Sequence, residues 1–365
     1  MNKIKVYLQY PWKFPDSPYY KYLIENPPEN VQYLNADKQK GVIINKKFLW
    51  ISNSLKKYLR RFVDIFKITF PNAPLSPEGD YDLIHCAHCL SKNIDKPWTA
   101  DFESLWQMYI GKKTERAKNK VREILQKENC KKIIAWTEET KKEIIEDFPE
   151  IKNKVDIIYP AIPVRASKKK QKKKINLIFS GRYFYWKGGP HALEIIDQLT
   201  KKYPSVYGIV NSETPEEIKK KYSQNSKIKF YDLIPQDKLF ELYEEADIMI
   251  YPGYTDTFGF AFLEAMSFGI PIVTVDGFAR KELIEEGKTG FVIKRPDISW
   301  KKSTIFISGK ERVIQGLMNK VEIIIQDKKL REKMSQNCIE IIKNGKFSIK
   351  QRNKKLKKIY LEAIK

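Results

Sequence analysis

YTDTFGFAFLEAMSFGIPIVT, residues 254 to 274, sets two acids eight positions apart, Asp256 and Glu264, with the pair Phe258-Gly259 between them. The preceding DIMIYPG reads as a buried strand, and FAFLEAMSF has helical propensity and stops at Gly269, a suitable C-cap. Asp256 therefore falls in a strand-to-helix loop. A helix beginning near Gly259 aims unpaired N–H groups and a partial positive charge above the carboxyl edge of the sheet, which favours phosphate. Glu264, about one and a half turns in, hangs beside that anion site. A carboxylate repels phosphate, so Glu264 is expected to serve neutral donors such as sugar or ribose hydroxyls. The alternative is a helix-surface Glu, but an unpaired charge in AFLEAMSFGIPIV would cost on the order of several kcal/mol.

A second stretch supplies the cations. FSGRYFYWKGGP, residues 179 to 190, follows a strand directly. Gly181 and Gly188 permit close backbone approach, and Arg182 and Lys187 can reach a diphosphate in the same crevice. Taken singly, either cation reads as a solvated surface charge and the glycine-rich loop is weak evidence.

The rest of the chain frames these two stretches. At 365 residues it suits about two domains, and 42% hydrophobic content is enough to build sizeable cores. No signal-peptide pattern and no spanning apolar run is visible, so a cytoplasmic protein is expected, with room for a peripheral membrane position. The formal charge of +23 has two readings. It is either a compositional habit or attraction to an anionic ligand or lipid surface. No zinc-finger or RNP-like motif points to nucleic acid. The cluster His85, Cys86, His88 and Cys89 in IHCAHC could clamp zinc, but it also reads as a buried strand running into a loop, and no metal site is assigned.

Strand and helix alternate twice, which argues for two parallel, doubly wound sheets. In the first half, strands are expected at 3–10, 41–45, 82–87, 98–102 and 132–137. A Pro-rich loop should follow the first strand, with helices at 104–128 and 138–147. The run ASKKKQKKK, 166 to 174, cannot pack against itself and reads as an exposed linker. The expected division is an N-terminal domain over 1–165, a linker over 166–174 and a C-terminal domain over 175–348, with the helix 349–365 returning to the first domain.

Together, SGRYFYWKGG and YEEADIMIYPGYTDTFGFAFLEAMSFGIPIVTVDGFARKELIEEGKTGFVI resemble the donor-binding domain of family 4 retaining glycosyltransferases of the GT-B fold. The resemblance implies an α/β architecture of two Rossmann-like domains facing a central cleft. It implies a nucleotide-sugar donor, UDP- or GDP-linked, transfer with retention, and no cofactor or metal ion. By the same resemblance Glu264 accepts from the ribose hydroxyls, and Arg182 and Lys187 neutralise the diphosphate. The donor base lies against Leu233 and Ile234. Asp256 addresses the donor sugar with the amides of Thr257, Phe258 and Gly259, although the family carries Glu at that place.

A histidine common in the family's N-terminal domain is replaced by KPWTADFESLW, so Asp101 or Glu103 is expected to face the sugar; Asp101 as a helix N-cap is the alternative. Asp16, in the loop after the first strand, is a further candidate for donor sugar or acceptor. The acceptor is expected to be a glycan or glycolipid. In SLKKYLRRFVDIFK, apolar residues recur at helical spacing beside Lys56, Lys57, Arg60 and Arg61. This is either a core helix or a basic amphipathic helix on anionic lipid. A nucleotide-sugar epimerase on the same fold is the alternative function.

Overall fold

The structure is a computed structural model that describes residues 3–11, 18–36, 69–166, 173–255, 258–301 and 304–365. Two compact units emerge, Met1–Ala161 with Lys346–Lys365 and Ile162–Gly345. The division falls at 161/162, so the Lys-rich run lies on the second unit's side, with 167–172 outside the described residues.

In the first unit, β1 (Ile4–Gln9) is followed by helix α1 (Pro18–Glu25) and β2 (Val31–Leu34). After β3 (Phe70–Pro71) come β4 (Leu83–Ala87), β5 (Trp98–Phe102), β6 (Tyr109–Ile110) and helix α2 (Glu115–Gln126). Strand β7 (Cys130–Ala135), helix α3 (Glu138–Asp147) and β8 (Val155–Ile157) complete the run. Six strands form one parallel sheet in the order β2-β1-β4-β5-β7-β8. Strands β4 and β5 are buried along their whole length, as expected of a parallel sheet covered on both faces.

Several local expectations change. The Pro-rich segment is not all loop: PYYKYLIE forms α1 and buries Tyr19, Tyr20, Tyr22 and Leu23. The single helix expected over 104–128 is broken into a short 3-10 turn (Leu105–Met108), β6 and α2. The causes are Gly111, whose φ of 84° cannot continue a helix, and Thr114, whose side chain caps α2 by accepting from the Ala117 amide. The strand expected at 132–137 runs two residues earlier. The strand expected at 41–45 and the basic helix with Lys56, Lys57, Arg60 and Arg61 lie outside the described residues, as does Asp16.

The last helix, α11 (Ile349–Ala363), belongs to the first unit. There Arg352 is buried and its Nη2 donates to the Asn26 carbonyl at 2.6 Å, while Lys355 Nζ reaches the Ile157 carbonyl at 3.1 Å.

The second unit contains β9 (Ile175–Ser180), α4 (Gly189–Lys202), β10 (Val206–Asn211), α5 (Glu216–Lys221), β11 (Ile228–Tyr231) and α6 (Gln236–Glu245). It continues with β12 (Ile248–Tyr251), α7 (Phe260–Ser267), β13 (Ile272–Val275), α8 (Arg280–Leu283) and β14 (Gly290–Ile293). An antiparallel hairpin, β15 (Ile298–Lys301) with β16 (Thr304–Ile307), precedes helices α9 (Lys310–Gln326) and α10 (Lys328–Lys343). The parallel sheet runs β11-β10-β9-β12-β13-β14. Its order reverses between β9 and β12, and in such sheets ligands bind outside the carboxyl ends of the strands at that switch point.

Candidate active site

The loops leaving β9 and β12 are the two stretches singled out in the sequence. They meet at the switch point: the Gly253 amide donates to the Lys187 carbonyl at 2.9 Å, and the Tyr254 amide to the Trp186 carbonyl at 3.2 Å. Glycine is required at 188. It sits at φ 75°, and a Cβ there would lie 2.5 Å from Pro252 Cβ. Gly181 lies close to Lys187, since a Cβ would come within 3.0 Å of that side chain's Cβ. Arg182 and Lys187 thus sit on one turn at the carboxyl end of β9.

Beyond β12, Phe258 is buried and Gly259, at φ 91°, starts α7 with no side-chain cap on its first amides. Asp256 and Thr257 lie outside the described residues. Glu264 is only 7% exposed, and its Oε1 accepts from Gln236 Nε2 at 2.9 Å. Gln236 opens α6 immediately after Leu233, Ile234 and Pro235. The buried carboxylate is thereby tied to the turn expected to hold the donor base. Gln236 escaped the sequence reading because its partner is 28 positions away.

Two further residues brace this edge. Buried Arg280 donates through Nη2 to the Gly253 carbonyl, and Arg295 Nη2 reaches the Tyr254 carbonyl at 3.4 Å. His191, in the first turn of α4, pairs through Nδ1 with Tyr254 Oη at 2.6 Å. Burial, assisted by the charge of Lys310, pushes the His191 imidazole down to about 4, so it is neutral at pH 7.

In the first unit, Asp101 is fully buried inside β5 and is not a helix N-cap. Its Oδ1 accepts from Tyr20 Oη and from the His88 amide at 3.3 Å, and its Oδ2 lies 3.2 Å from His85 Nε2. His85 Nδ1 meets Tyr360 Oη at 2.6 Å, and Tyr360 meets Tyr33 Oη at 3.0 Å. Burial works against the charge of Asp101, but His85, His88 and Tyr20 outweigh it and hold the carboxyl below its ordinary range. Glu103, two residues on, is only half-buried. The IHCAHC cluster is divided by the strand: Cys86 and Cys89 pack in the apolar core, while His85 and His88 turn to Asp101. Among the described residues no group of three or more His, Cys, Asp or Glu is placed to hold a metal ion. A recess of about 190 Å³ opens at the carboxyl end of β1, lined by Tyr7, Gln9, Tyr10, Asn35, Pro74 and Leu75 among others.

Two Rossmann-like domains with these loops define the GT-B fold. A glycosyltransferase from Rickettsia africae superposes with a TM-score of 0.64 at 15% identity, covering 100% of both chains. Anabaena HepE in complex with UDP gives a TM-score of 0.61 at 14% identity, over 99% of this chain and 100% of the other. At such identities the likeness is one of fold. Residues 163–341, nearly the whole second unit, match the family model for glycosyl transferases group 1. An uncharacterized glycosyltransferase of Methanocaldococcus jannaschii is 24% identical over 60% of this chain and 65% of its own length. Alignments to the first three relatives span 43%, 65% and 54% of their lengths. Among the described residues no helix is long and apolar enough to cross a membrane.

Proposed function

We propose that this chain is a retaining glycosyltransferase that moves a sugar from a UDP- or GDP-sugar to a hydroxyl of a glycan or glycolipid acceptor, without a divalent ion. One observation carries the reading. A buried carboxylate, Glu264, is tied by Gln236 to the 233–236 turn on the same domain whose switch point gathers Arg182, Lys187 and the start of α7. A buried acid at a phosphate-suited edge needs neutral donors, and ribose hydroxyls are such donors. The group 1 glycosyltransferase match over 163–341 and the UDP complex of a fold neighbour agree with a nucleotide donor.

In this mechanism the departing diphosphate gathers negative charge as the glycosidic bond lengthens. Arg182, Lys187 and the first amides of α7 meet that charge in place, so they stabilise the transition state more than the ground state. The acceptor hydroxyl attacks from the leaving group's side and gives its proton to the departing diphosphate oxygen as the sugar–phosphate bond breaks, which retains configuration. The first unit contributes to acceptor binding, through the Tyr- and Asn-lined recess at the end of β1. A peripheral position on an anionic membrane would suit a lipid-linked acceptor.

The test is a panel of nucleotide-sugars read by thermal shift, since a ligand that binds only the folded state must raise its stability. A UDP- or GDP-sugar should raise the melting temperature and turn over only slowly until acceptor is added. Conversion of the donor to its epimer without acceptor would select the epimerase, which draws no support from the matched relatives.

A further inference from the structure

The turn between β9 and α4 displays aromatic rings that the reaction above does not use. Tyr183, Tyr185 and Trp186 are 43%, 50% and 39% exposed, three large rings within four residues. Exposed aromatics of this size forgo much of the burial that makes such rings stabilising, so a cluster of them on one turn calls for a ligand.

The turn is rigid. Phe184, the one ring of the four that points inward, is 3% exposed and packs edge-on to Phe179 of β9 at 6.2 Å. It occupies the space that a Cβ on Gly189 would need, 2.3 Å from its ring. The backbone is closed by Lys187 N to Tyr183 O at 2.9 Å, Gly188 N to Tyr185 O at 3.1 Å and Gly189 N to Phe184 O at 2.7 Å. It is bridged to the next loop by Tyr254 N to Trp186 O at 3.2 Å. Tyr183 and Trp186 lean on each other, with ring centroids 5.4 Å apart at 42°. Rings held this way are preorganised and lose little entropy on binding.

We propose that Tyr183, Tyr185 and Trp186 form a stacking platform for a saccharide ring of the acceptor, beside the cations Arg182 and Lys187. The inference rests on the glycosyltransferase reading and extends it to the acceptor. A pyranose offers a flat C–H face for an aromatic ring and hydroxyls at its rim for the two phenols. The rings are roughly half-sunk, 39% to 50% exposed, which suits stacking better than deep insertion into a bilayer. The patch is aromatic throughout and bordered by charge, unlike an aliphatic groove for an acyl chain or a partner helix.

The experiment uses the full chain and saturation-transfer NMR with methyl hexopyranosides and disaccharides of glucose, galactose, mannose and N-acetylglucosamine, alongside UDP and GDP titrations. Three proteins are compared: wild type, Tyr183→Leu/Trp186→Leu, and Tyr183→Phe/Trp186→Tyr. Wild type should bind at least one saccharide. The Leu variant should lose about tenfold or more, and the aromatic variant should stay within about threefold of wild type. Nucleotide affinity should be unchanged in both. Saccharide binding by the Leu variant at wild-type strength would overturn the proposal, because mere apolarity would then suffice. A parallel fall in nucleotide affinity would overturn it by assigning the rings to the donor base. No saccharide binding by wild type, with nucleotide binding intact, would retire the platform alone. Saccharide binding that depends on the rings, with no nucleotide binding, would keep the platform and retire the transferase reading.

Discussion

Replacing Glu264 with Gln isolates one charge at nearly constant shape. The side chain is 7% exposed and accepts from Gln236 Nε2 at 2.9 Å, so in the variant Gln236 can still find the amide oxygen. The other terminal atom becomes an NH₂ donor, and a ribose hydroxyl that gave its proton to the carboxylate meets a donor instead. A hydrogen bond to a charged acceptor is worth about 1.5–3 kcal/mol, and the second ribose contact weakens as the charge goes. The expected loss is about 2–4 kcal/mol, or about 30- to 1000-fold in Kd for the nucleoside diphosphate. Calorimetric titration of wild type and Glu264→Gln with UDP (or GDP, whichever binds) and with its 2′,3′-dideoxy analogue closes a thermodynamic cycle. If the carboxylate and the ribose hydroxyls meet, the dideoxy analogue costs wild type about what the substitution does, and the two losses together are far from additive. Binding of UDP and GDP by the variant within about twofold of wild type, or losses that simply add, would refute the argument.

Arg182→Ala and Lys187→Ala should each lower kcat/KM by about 10²- to 10³-fold, about 2.7–4 kcal/mol of transition-state stabilisation, with melting temperatures preserved; near-normal turnover in the folded double variant would remove both as leaving-group ligands. Activity should persist in EDTA, and a complete loss restored by magnesium or manganese would contradict a metal-free mechanism. His191 sits at about 4 folded against about 6.5 unfolded, so between those values the unfolded chain holds a proton that the folded chain does not. Protonating it in the folded chain costs on the order of 3 kcal/mol, so His191 leaves stability flat above pH 6.5 and lowers it as pH falls toward 4. The difference in stability between wild type and His191→Gln should change across that window, and parallel stability curves from pH 4 to 7 would count against it.

Much of the donor domain could be read directly because its signals are local. DIMIYPG, FAFLEAMSF and Gly269 encode strand, helix and stop within a few residues of one another, and glycines at 188 and 259 meet a local demand for positive φ. The helix break at Gly111 and Thr114 is also local, a positive-φ glycine followed by an N-cap threonine. What the chain's own order could not reveal was which side chains meet across long separations. Asp101 is placed by Tyr20 and by His85, and His85 by Tyr360, 275 positions further on. Glu264 is placed by Gln236 and the Gly253 carbonyl by Arg280. The strand order that makes the ends of β9 and β12 neighbours likewise follows from packing two helical layers on one twisted sheet. Propensity and periodicity act over one or two turns of chain, so they determined the elements and the donor motif. Burial and hydrogen-bond satisfaction act over the whole domain, so only the tertiary structure decided that Asp101 is enclosed, that Glu264 is held, and that three aromatic rings stay at the surface.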